Sequence, residues 1–81
     1  MNKNTDKTLK NLERSLSKIG SGLDAIDKTG SDSYYREHKE KSQQLIASLP
    51  ENIQKKLSST EPDMHNWHRL QKEIQNITSE K

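Results

Sequence analysis

Eighty-one residues, 26% of them apolar and 32% charged, allow one small domain and exclude a large core. A net charge of only +2 is too small to keep the chain unfolded by self-repulsion, so a folded protein is expected. The absence of cysteine removes disulfides; no apolar run nears about 18 residues and residues 1–6 carry no secretory leader pattern, so a cytoplasmic protein without a transmembrane helix is expected.

Leu9, Leu12, Leu16, Ile19, Leu23 and Ile26 recur at alternating spacings of three and four. That is the a/d seam with which one helix packs lengthwise on another. A first helix is expected over residues 5–27, with Thr5 as N-cap and Asp6 at the positive end of the dipole. Gly20 and Gly22 oppose it, each costing up to ~1 kcal/mol inside a helix. The helix is still expected to continue, because Leu23 and Ile26 hold the register. The e and g positions beside the seam are Thr8, Glu13, Ser15, Gly20, Gly22 and Asp27. A two-stranded coil would place paired Glu and Lys there; small residues let another helix approach closely and favour a hairpin or bundle.

Lys28 to Ser31 read as a turn, with Gly30 beyond the helix end and Ser31 or Asp32 as the next cap. The second helix is expected over residues 32–49. Its apolar face is ragged: Tyr35, His38, Leu45, Ile46 and Leu49, with Ser42 in the stripe. Asp32 with Arg36 and Glu37 with Lys41 form i,i+4 pairs worth ~0.2–0.5 kcal/mol each. Pro50 suits the first turn of a short helix over residues 50–58, which presents Ile53 and Leu57 four apart. Thr60, Pro62 and Asp63 resemble a helix start, so the last helix is expected over residues 61–78. Its seam is Trp67, Leu70, Ile74 and Ile77, with Met64 one turn earlier. Strand patterns are absent.

The expected fold is all-α: one domain over residues 1–81, a small bundle of three main helices plus a short extra helix, with frayed ends. A core of this size seldom supplies more than ~3–5 kcal/mol. Oligomerisation or a partner chain is therefore expected to complete the packing.

Lys3, Lys7, Lys10, Arg14 and Lys18 form a basic row on the face opposite the seam. The simplest reading is a solvated face; the functional reading is a surface for an acidic partner or nucleic acid. A helix-turn-helix drawn through residues 42–59 has proline in its joint and only Gln54, Lys55 and Lys56 as readers, which is a poor match. Asp63, His65 and His68 cluster, with His38 as a further imidazole, but no fourth ligand is indicated and no metal is expected. Trp67 serves equally as core anchor and interface hot spot. Tyr34 and Tyr35 are adjacent, so one faces inward and the other offers an exposed contact.

No nucleophile–base constellation and no phosphate-binding glycine loop is present, so no enzyme, cofactor or small-molecule substrate is expected. The expected function is that of a helical protein–protein interaction module, an adaptor, regulator or inhibitor. Its core or partner seam would comprise Leu9 through Ile26 together with Trp67, Leu70, Ile74 and Ile77. The alternative is a nucleic-acid-associated accessory protein using the basic face of the first helix.

Overall fold

The computed structural model describes residues 3–79, and the fraying expected of the chain ends concerns residues outside these. The first helix, α1, runs unbroken over Lys3–Thr29. Its 27 residues rise about 40 Å and match the 41 Å long axis of the molecule. Continuity through Gly20 and Gly22 is as the register required. The helix begins earlier than expected: Thr5 is buried within its first turns and is not its cap. Gly30 ends it in the left-handed region (φ 74°), donating its N–H to the Ile26 carbonyl at 2.8 Å.

Helix α2 spans Ser33–Ala47. Asp32 stands at its N-cap position but caps no backbone N–H with its side chain; the carboxylate pairs with Arg36 at 3.3 Å. Glu37 lies against His38 Nε2 at 3.3 Å rather than pairing with Lys41. The helix stops two residues short of the expected end. Pro50 disfavours helical backbone at Leu49, and Pro50 itself is extended (φ −57°, ψ 147°). One turn of helix, α3 over Glu51–Gln54, follows where residues 50–58 were expected to be helical. Ile53 and Leu57 are nonetheless both buried.

Helix α4 spans Trp67–Ser79 and starts well after residue 61. Glu61 precedes a proline, which resists helical backbone there, and Pro62 is fully buried. The cap is Asp63, not Thr60. Its Oδ1 accepts the N–H groups of His65 (2.8 Å) and Asn66 (3.0 Å), while Asn66 Oδ1 accepts the Asp63 N–H at 2.8 Å. This is a reciprocal capping box in which Asn66 takes the role expected of an acid. Residues 64–66 form a turn, so the apolar stripe does not extend back to Met64, which is 48% exposed.

The architecture is all-α, with no strand among the described residues. Both α2 and α4 run antiparallel to α1. Gly22 meets Tyr35 and Ser15 meets His38 and Ser42 on one flank; Gly20 meets Trp67 and Glu13 meets Gln75 on the other. The heptad explains the split. Thr8, Ser15 and Gly22 are g positions and face α2 or the turn after it; Glu13 and Gly20 are e positions and face α4. Since both helices point the same way, residues 51–66 must climb back along α1 for about 22 Å. Ser58 fastens this return to α4, its N–H and hydroxyl both donating to Glu73 Oε1.

Leu9, Leu12, Leu16 and Ile19 are fully buried among Ile46, Leu49, Ile53, Leu57, Leu70, Ile74 and Ile77. This part of the seam is covered by the chain itself. Leu23 and Ile26 are only half-buried, because α4 begins level with Gly20 and leaves the last two turns of α1 beside α2 alone.

Candidate functional site

A half-open groove of about 290 Å³ lies between α1 and α2, lined by Asn11, Arg14, Ser15, Lys18, His38, Lys41 and Leu45. Helical spacing builds both walls. Asn11, Arg14, Ser15 and Lys18 recur three and four apart on α1; His38, Lys41 and Leu45 do so on α2. Three side chains on the groove are cationic and none is acidic. The side chains that line it therefore carry net positive charge.

Beneath it, buried Ser42 donates its hydroxyl to Ser15 Oγ (2.9 Å), and Ser15 donates to the His38 carbonyl at 3.3 Å. These hydroxyls satisfy one another where two helices approach too closely for large side chains. His38 is 5% exposed. Its Nε2 faces the Glu37 carboxylate, the Tyr34 ring rests on it at 4.4 Å, and its buried Nδ1 has no hydrogen-bond partner among the described residues.

Burial pushes the His38 imidazole below its ordinary value of 6.5; Glu37 opposes this, while Lys18 and Lys41 reinforce it. A depressed histidine binds its proton less readily in the folded chain than in the unfolded one. Its contribution to stability is then complete above about pH 6.5 and is lost as pH falls through 6.5 towards the lower folded value. Melting temperature should accordingly drop as pH falls below about 6.5, and His38→Leu should flatten that part of the profile. An unchanged slope in the variant would assign the pH dependence elsewhere.

The basic row is exposed along its length, at Lys3, Lys7, Lys10, Arg14 and Lys18, but it does not form a free face opposite the packing surfaces. Arg14 and Lys18 border the α2 groove. Lys10 and Arg14 also border a second depression, with Glu13, Ser17 and Gln71, towards α4. Of the tyrosines, Tyr34 is the exposed contact (41%), whereas Tyr35 is buried against Gly22 and is removed from the candidate contacts. Trp67 is half-buried: it packs on the core, and its six-membered ring lies over Gly20. Among the described residues no three His, Asp or Glu side chains converge on a metal-sized site. No described helix is long and apolar enough to cross a membrane.

Sequence reasoning did not single out Asn11, gave Lys41 only as a helical partner of Glu37, and read His38 as part of the apolar face of the second helix or as a further imidazole. The 38–41–45 spacing was visible, but which α1 flank it would face was not. Comparison with family models, curated proteins and solved structures finds no match to this chain.

Proposed function

We propose that this protein is a non-enzymatic helical interaction module, acting by binding a second copy or a partner protein. The observation that carries this reading is the overhang of α1. Past Gly20 the apolar seam continues through Leu23 and Ile26 with cover on one flank only. Tyr34 lies beside Ala25 at this end, and Met64 is exposed just before Trp67. A seam kept in register beyond its own covering helix gains its burial energy from another chain, at roughly 25 cal/mol per Å² of apolar surface.

Leu16 and Ile19 cannot test association, since both are buried within the chain and their replacement by charge would unfold it. The informative variant is Leu23→Glu with Ile26→Glu. Sedimentation across a wide concentration range should show a mass above that of the monomer, and the double variant should remain monomeric with its helicity retained. A monomer at every concentration overturns self-association and leaves the partner-protein form of the reading, which has a separate test below.

Nucleic-acid association draws on the same exposed cations. It is the weaker reading, because Glu13, Glu37 and Glu40 interrupt the basic surface and a phosphate track favours an unbroken one.

A further inference from the structure

We propose that the groove between α1 and α2 receives a carboxylate from an acidic segment of a partner protein, held by Arg14, Lys18 and Lys41 beside the buried imidazole of His38. This deepens the interaction-module reading and rests on it. Charge complementarity selects the occupant: three cations border the groove and no acid does. Its size, about 290 Å³, suits one or two acidic side chains and not a folded element. Arg14 adds planar, two-point recognition of a carboxylate that a lysine alone does not offer.

His38 makes the groove incomplete as it stands. Its Nε2 is engaged by Glu37, whereas Nδ1 is enclosed without a partner among the described residues, a deficit a buried polar atom rarely carries. Lys18 and Lys41 disfavour the charged ring, Glu37 favours it, and Arg14 shares the groove wall. A bound carboxylate offsets the lysine charges and thereby favours the imidazolium through space. Proton uptake and carboxylate binding therefore favour each other, and affinity rises as pH falls. Nucleic acid is disfavoured here, because His38, the ring among the residues that line the groove, is buried and offers no face for a base to stack on.

The test is titration of the full chain with a blocked hexaglutamate peptide, followed through the ring resonances of His38 and repeated with oligothymidylate. The His38 resonances should move with the peptide, and its midpoint should rise on saturation. Binding should be tighter at pH 6 than at pH 7.5. Arg14→Gln with Lys41→Gln should weaken peptide binding by about tenfold or more, while Lys3→Gln with Lys7→Gln changes it by less than about twofold. All four side chains are exposed, so retained helicity is expected and is recorded on the same samples. Unmoved His38 resonances, equal weakening by both pairs of substitutions, or tighter binding of oligothymidylate at His38 would each overturn the proposal. None of these outcomes depends on whether Leu23 and Ile26 drive self-association.

Discussion

Leu16→Ala is expected to abolish most of the folded population. Leu16 is fully buried at the middle of the covered seam, between Leu12 and Ile19, which are equally inaccessible. Truncating a leucine at such a site costs about 2–5 kcal/mol, partly from lost transfer energy and partly from the cavity left behind. A domain of this size has about 3–5 kcal/mol in total. The two quantities are comparable, so the variant should lose its cooperative thermal transition or melt far below the wild type. Leu23→Ala is the internal comparison. Leu23 belongs to the same heptad series but is half-buried, so its truncation removes less covered surface and should cost distinctly less. Circular dichroism melts of the two variants check this. Equal losses would mean that the seam is covered uniformly along α1.

Gly22→Ala should destabilise the protein while Gly20→Ala, two residues away on the same helix, should not. Both changes gain up to ~1 kcal/mol of helix propensity. The difference lies in what the new methyl meets. At Gly22 it would lie 2.6 Å from Tyr35 Cα and 2.8 Å from Tyr35 N, which is main chain and moves only if α2 moves. Overpacking of this kind costs about 1–3 kcal/mol; here the strain has no local outlet, so the upper end applies and, less the helix gain, a net loss of about 2 kcal/mol is expected. For a domain this small that is a fall of about 8–16 °C in melting temperature. At Gly20 the methyl would meet the far edge of the Trp67 ring at 2.7 Å, and a half-buried side chain can swing aside. Gly20→Ala should therefore melt at or slightly above the wild-type temperature. Parallel melts of the two variants decide the matter; a Gly22→Ala protein as stable as Gly20→Ala would contradict the close helix–helix contact. Trp67 fluorescence should shift in Gly20→Ala alone.

The covered half of the seam, the continuity of α1 through its glycines and the stop at Gly30 were all legible in the sequence, because each depends on contacts a few residues apart. A register of three and four and a left-handed glycine act within one or two helical turns, whatever the rest of the chain does. The small residues flanking the seam likewise announced a close neighbour, and Ser15 and Gly22 have one in α2. Local signals misled where two of them competed. Thr60 and Asp63 are both acceptable caps, and Asp63 caps the turn that leads into α4 at Trp67, because Pro62 disfavours helical backbone at Glu61 and Asn66 closes the reciprocal pair.

Only the tertiary structure decided which flank of α1 meets which helix, and therefore where the basic row ends up. On the sequence Arg14 and Lys18 belong with Lys3 and Lys7; in the fold they belong with Lys41 and His38, which lie twenty or more residues further along the chain. The burial of Tyr35 in place of Tyr34, the unpartnered Nδ1 of His38 and the uncovered end at Leu23 and Ile26 have the same origin. Helix periodicity is a local property of each segment. The pairing of faces depends on the lengths of 27, 15 and 13 residues that must share one core, and α4 is too short to cover α1 to its end.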